Sequence, residues 1–182
     1  MAFDTVKVFL LPTEPVYSHI QKLKLQLREK IGNYFYWDYE PHISLIYLKV
    51  EPGHLEPLVQ AVEKVLTGAL PFDISLNKIT APGRGLIFVD VEKSLPLRVL
   101  TNSLHQAFKD YLLGEKPQHE DFEKYLRHHI TIGNYIKGDN YDKAIKFLAS
   151  ASVPDAFECR KIVVYKEDPE TRKNILLKEF AI

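Results

Sequence analysis

The segment His42-Ile43-Ser44 returns as His129-Ile130-Thr131, 87 positions later, and each copy opens an apolar, β-branched run that reads as a strand. The hydrophobic spacing around the two copies repeats in the same order. Ahead of the first, Ile20, Leu23, Leu27 and Ile31 recur at steps of three and four, and Gly32 with Asn33 supplies a stop, which predicts a helix with one buried face. After it, Leu55, Leu58, Val59, Val62, Val65 and Leu66 predict another helix. Phe72 to Thr80 and Leu86 to Glu92 then flank Pro82-Gly83-Arg84-Gly85 as a hairpin with a loop of several residues. The second copy follows a helix pattern through Leu97, Leu100, Leu104, Ala107, Phe108 and Tyr111. It precedes a short helix capped by Asn140 and carrying Ala144, Ile145 and Leu148, and then a closing hairpin, Phe157 to Lys166 and Asn174 to Ile182. The two hairpins start at Phe72 and Phe157, 85 positions apart, close to the spacing of the histidines. An entering strand spans residues 3–11, up to Pro12, and the polar stretch from Gly114 to Lys124 reads as a loop.

Two copies exclude a solenoid and predict an α+β fold with two lobes related by a pseudo-twofold, each an antiparallel sheet with two outer helices. The expected organisation is a single bilobal domain over residues 1–182, with the first-lobe motif at 42–44 and the second-lobe motif at 129–131. A chain of 182 residues that is 46% hydrophobic can bury one such core and no large multidomain assembly. Lys plus Arg and Asp plus Glu balance at 24 each, so no global field draws the chain onto nucleic acid. A nucleic-acid ligand is then captured locally, and a small ligand is favoured over a long RNA. The lone cysteine, Cys159, excludes an internal disulfide and fits a reducing compartment. The N-terminus has no signal-peptide pattern, and no apolar run approaches the roughly 20 residues of a membrane helix. The expectation is a cytoplasmic monomer with no membrane contact.

Side chains alternate along a strand, so His42 and Ser44 share one face and His129 and Thr131 share another. If the lobes are related by a pseudo-twofold, the two polar patches face one another across a cleft that suits a phosphate. Displacement at phosphorus needs a base, an acid and donors for the nonbridging oxygens. Two imidazoles and two hydroxyls supply that set, because imidazole titrates near neutrality and hydroxyls donate.

Pro41-His42-Ile43-Ser44-Leu45 and His129-Ile130-Thr131-Ile132-Gly133 resemble the paired His-x-Ser/Thr signatures of the 2H phosphoesterase superfamily, which includes cyclic phosphodiesterases and the bacterial proteins labelled 2'-5' RNA ligases. The resemblance extends over residues 3–182. It implies a bilobal α+β fold with both motifs in a central groove and metal-independent action, with no cofactor, on 2',3'-cyclic or related phosphodiesters. His42 and His129 would be acid and base, and Ser44 and Thr131 would hold the phosphate. The substrate would be the 2',3'-cyclic phosphate of a nucleotide or RNA end. Two alternatives stand beside it: action on a 2',5'-oligonucleotide or an RNA 3' end, and a non-catalytic nucleotide- or RNA-binding module. The first motif carries Ser where many members have Thr, and the second follows Arg127-His128 rather than a proline.

Other features admit two readings. Tyr34, Phe35, Tyr36, Trp37 and Tyr39 are a base-stacking platform or a loop packed on the first lobe. Arg84, Arg127 and Lys166 are candidate phosphate contacts or solvated side chains. His128 adjoins His129, but neighbouring strand residues face opposite ways and make a poor metal pair. No role attaches to His19, His54, His105 or His119. Were both motif histidines buried and apart, the chain would instead be an interaction domain.

Overall fold

The computed structural model describes residues 3–111 and 127–182. The loop expected from Gly114 to Lys124 and His119 lie outside these described residues. The elements run β1 (Asp4–Leu11), α1 (Val16–Ile31), β2 (Ile43–Val50), α2 (Leu55–Leu66), β3 (Phe72–Gly83), β4 (Leu86–Val91), α3 (Leu95–Phe108), β5 (His129–Gly133), α4 (Asp139–Leu148), β6 (Ala156–Cys159), β7 (Lys161–Glu167) and β8 (Asn174–Ala181). The helices follow the hydrophobic spacing. Ile20, Leu23, Leu27 and Ile31 are buried on α1, and Gly32 at φ 81° ends it. The α3 helix starts where Ser94 caps the Leu97 N–H, with Pro96 in the first turn.

All eight strands join one curled antiparallel sheet in the order β6-β3-β4-β5-β2-β1-β7-β8. Its midline lies between β5 and β2, so β2, β1, β7 and β8 make one half and β5, β4, β3 and β6 the other. The duplicated units are therefore not two separate consecutive sheets. The unit β1-α1-β2-α2-β3 sends its last strand to β4, in the second half, and the unit β4-α3-β5-α4-β6-β7 returns β7 to β1, in the first. This exchange ties the halves together and explains two departures from the sequence reading. The expected strand from Phe157 to Lys166 breaks at Arg160: β6 pairs with β3, and only β7 pairs with β8. Phe72 and Phe157, taken as equivalent hairpin starts, are neighbours in one half, with Phe72 opposite Cys159 and Ile74 opposite Phe157. The first hairpin is also tighter than expected. Gly83 pairs with Leu86 around a two-residue turn, Arg84-Gly85, whose φ angles of 57° and 77° match a type I′ hairpin.

The helices cover one face of this sheet and leave the other open. Val6, Val8 and Leu10 of β1, Val89 of β4, Ile130 of β5 and Val164 of β7 are 0% exposed and pack with Ile20, Leu27, Val62, Leu104 and Ala144 of the four helices. On the open face Phe9, Leu11 and Val163 form a smaller apolar patch with Tyr165 at its edge. A strand with hydrophobic residues on both faces reads as a continuous apolar run, which is the pattern of residues 8–11.

Candidate active site

The centre of the sheet brings the two motifs together. Strands β2 and β5 pair antiparallel at Ile43 and Ile130, both fully buried on the helix side. This register sets His42 across from Thr131 and Ser44 across from His129, with all four side chains on the open face. The surroundings repeat about the Ile43–Ile130 pair. Phe9 on β1 pairs with Ser44, and Phe88 on β4 pairs with Thr131. Next to each, the register slips by one residue: between Val8 and Phe9 it skips Leu45, and between Ile87 and Phe88 it skips Ile132. Matching bulges at matching positions re-aim the same part of each motif. The two phenyl rings then support the two imidazoles, Phe9 stacking on His42 at 3.9 Å and 14° and Phe88 meeting His129 at 4.8 Å and 47°.

Each imidazole is oriented by the backbone two residues before it. His42 Nδ1 bonds the Glu40 carbonyl at 2.8 Å and His129 Nδ1 bonds the Arg127 carbonyl at 2.7 Å. A carbonyl only accepts, so each Nδ1 carries the proton. In the neutral ring Nε2 is then left as an acceptor towards the open face. Burial pushes the His42 pKa down to about 4, against the pull of the Glu40 carbonyl, and the neighbouring Lys24, His129 and Lys7 lower it further. The influence of His129 on His42 follows from their places on facing strands.

A 2'-5' RNA ligase superfamily profile matches residues 12–171. The chain belongs to this superfamily of 2H phosphoesterases. Two solved structures share its fold at low identity. LigT from E. coli, crystallised with 3'-AMP, is 14% identical over 100% of this chain and 99% of its own, with a TM-score of 0.63. TT0787 of Thermus thermophilus is 17% identical over 97% of each chain, with a TM-score of 0.65. None of the curated proteins matches the sequence.

Several groups around the four motif residues were not evident in the sequence. Lys7 lies two residues from Phe9 on the open face of β1, 8% exposed, where its ammonium meets Glu167 at 2.7 Å and Asn174 Oδ1 at 2.9 Å. Arg172 reaches the other Glu167 oxygen at 2.6 Å. Lys24 occupies the apolar stripe of α1 at 1% exposure and donates to the Tyr39 carbonyl. Burial lowers its pKa to about 8, although Asp38 and Glu40 oppose the shift. The Glu40 carboxylate accepts the Tyr165 hydroxyl while the Glu40 carbonyl holds His42. Lys24, Glu40 and Tyr165 therefore act on His42 through the loop before it. The only local signals were a lysine at a helical core position and another in an apolar strand.

The remaining candidates divide. Arg127 flanks His129, pairs with Asp90 at 2.7 Å and sits 5.1 Å from the Phe88 ring. That guanidinium holds the Asp90 carboxyl below its usual range. Lys166 pairs with Asp4 at 2.7 Å, on the β7 face opposite Tyr165, and is not in the site. Arg84 tips the β3–β4 turn beside a cavity of about 530 Å³ lined by Tyr135 and Tyr141. His128 points away from His129 and meets Thr101 Oγ1 at 3.1 Å, facing a separate cavity of about 390 Å³ with Lys93 and Arg98. Among the described residues no three His, Cys, Asp or Glu side chains cluster as a metal site, and no helix is long and apolar enough to cross a membrane.

Proposed function

We propose that this 2H phosphoesterase hydrolyses a 2',3'-cyclic phosphate of a nucleotide or RNA end to a phosphomonoester, without a metal. The observation that carries the reading is the symmetric quartet: two imidazoles of one tautomer, each backed by a phenyl ring and a backbone carbonyl, alternating with two hydroxyls. One imidazole Nε2 takes a proton from water as its oxygen bonds to phosphorus. The counterpart, as imidazolium, gives its proton to the ribose oxygen as the old P–O bond breaks. Ser44 and Thr131 hydroxyls donate to the nonbridging oxygens, where negative charge grows in the transition state. Burial keeps His42 neutral above about pH 4, which leaves its Nε2 open as an acceptor. LigT, which shares the fold, has been crystallised with phosphate and with 3'-AMP. Opening a cyclic phosphate yields a monoester of the 3'-AMP kind.

The test is a product-resolved assay of purified protein in excess chelator across 2',3'-cyclic nucleotides and linear 2',5'- and 3',5'-linked oligonucleotides. Ring opening of the cyclic substrates is expected, with little cleavage of the linear ones. Preferred cleavage of a linear oligonucleotide would replace the cyclic substrate. Binding of cyclic phosphates without turnover over hours would make the site a binding module.

A further inference from the structure

The quartet is nearly symmetric, but among the described residues the flanks beside it differ. On the second half, His129 is flanked by the solvated Arg127–Asp90 ion pair, whose arginine is 56% exposed. On the first half the flank is aromatic. Phe35 meets Tyr36 edge-on at 4.5 Å and Tyr135 edge-on at 5.6 Å, and the Tyr36 and Tyr39 rings tilt against each other at 4.6 Å. The Tyr39 hydroxyl donates to the Arg172 carbonyl at 3.2 Å, and Arg172 pairs with Glu167, the partner of Lys7, which ties the cluster to the open-face side of β7 and β1.

Both motifs feed this wall. Tyr39 precedes Glu40, whose carbonyl orients His42, and Phe35 bridges to Asn134, three residues beyond Thr131 and next to Tyr135. Not every ring of the stretch takes part. Tyr34 is anchored through its hydroxyl to the Lys24 carbonyl, and Trp37 packs under Arg28 at 3.8 Å, so these two pin the loop to α1. Phe35 and Tyr135, in contrast, remain 47% and 66% exposed.

The backbone holds the wall in a conformation that aromatic residues rarely adopt. Tyr36 and Tyr135 have φ of 77° and 54°. Asn134 Oδ1 accepts the Tyr135 N–H at 2.8 Å, and Tyr39 N–H closes a turn onto the Tyr36 carbonyl at 3.2 Å. Non-glycine residues in left-handed backbone persist where neighbours enforce them, and they concentrate at ligand sites. A loop required only for packing would place glycine or asparagine there and turn its rings inward.

We propose that Phe35, Tyr36, Tyr39 and Tyr135 form a stacking wall for a nucleobase, so that the substrate lies across the quartet with its base on the His42 side. The proposal rests on the phosphodiester reading of the quartet for the position of the attached phosphate. Aromatic faces accept any base, so the wall selects nucleotides over other phosphate esters without selecting one base.

Calorimetric binding of adenosine 3'-monophosphate and of ribose phosphate tests it without needing turnover. The wild-type protein is expected to bind the nucleotide roughly ten- to hundredfold more tightly than the base-free ester, the range of base–aromatic stacking. The Tyr36→Ala/Tyr135→Gly double variant should bring that ratio to within about threefold, whereas Tyr36→Phe/Tyr135→Phe, which keeps both rings, should preserve it. Equal affinities in the wild type, no binding of either compound, or a ratio that survives the double variant would overturn the wall. Base-dependent binding by a protein that hydrolyses no cyclic phosphate would remove the proposed reaction and leave the wall standing. Hydrolysis with no base dependence would do the reverse.

Discussion

Replacing either His42 or His129 by alanine is expected to lower turnover of a 2',3'-cyclic nucleotide by about 10²- to 10⁴-fold, the range for loss of one general acid or base. The double variant should fall little further than the worse single one, because the two proton transfers serve one transition state and removing either already disables it. Ser44→Ala and Thr131→Ala should cost less each, since one hydroxyl donor is lost while both imidazoles remain. Stability must be measured alongside. His42 is buried, stacks on Phe9 and satisfies the Glu40 carbonyl, so His42→Ala also carries a folding cost of about 1–3 kcal/mol. The partly exposed His129 should carry less. Steady-state kinetics on variants shown to be folded by their denaturant midpoints decide the matter. Either variant with wild-type kcat/KM would remove that histidine from the reaction.

Gly85→Ala should be the most damaging glycine-to-alanine change among the described residues. Gly85 sits in the Arg84-Gly85 turn at φ 77°, where a Cβ would lie 2.3 Å from the carbonyl oxygen and 2.8 Å from the nitrogen of Ile136. Those are backbone atoms, held in place by the bond from Ile136 N–H to the Gly85 carbonyl at 3.2 Å, so a rotamer change cannot relieve the overlap. Left-handed backbone costs an alanine about 1–2 kcal/mol and overpacking about 1–3 kcal/mol more. A loss of about 3 kcal/mol in a chain of 182 residues corresponds to a Tm lower by about 6–12 °C. Gly83→Ala in the same turn is the comparison. Its φ of 103° is also left-handed, but an added Cβ meets nothing within 4 Å, so only the conformational cost applies. Because Ile136 follows Tyr135 and the second motif, Gly85→Ala should also weaken ligand binding. Equal melting points for the two variants would contradict the close approach.

The duplication, the helices and the two polar patches were legible because they rest on local periodicity and on a repeated tripeptide. The α1 face, the strand opening after His42 and the β7–β8 hairpin follow from spacing alone. What sequence could not show were pairings made at a distance. The break at Arg160 is invisible because strand-forming residues continue on both sides of it, Phe157 and Cys159 before and Ile162, Val163 and Val164 after, and only the competing partners, β3 for one strand and β1 for the next, divide them. Nor does alternation foresee the bulges at Leu45 and Ile132, which add a residue to a strand without changing its composition. The supports of the histidines divide in the same way. Phe9 and Phe88 recur before the two motifs, so a search for repeats could find them. Lys24 and Glu167 become meaningful only once the loop before His42 and the ion pair with Lys7 are seen. The aromatic stretch had two readings, and the structure divides it: Tyr34 and Trp37 pack against α1, while Phe35 stays exposed.

The central claim is that histidines from the two halves act on one phosphate. The direct measurement is a titration of the protein with inorganic phosphate at pH 6, following the ring nitrogens of His42 and His129 by ¹⁵N NMR. In the free protein His42 should be neutral, with its proton on Nδ1, since burial holds its pKa at about 4. On addition of phosphate, the Nε2 resonances of both histidines should move together and fit one dissociation constant at one phosphate per chain. A response from only one ring, or two independent constants, would show that the histidines do not share a site.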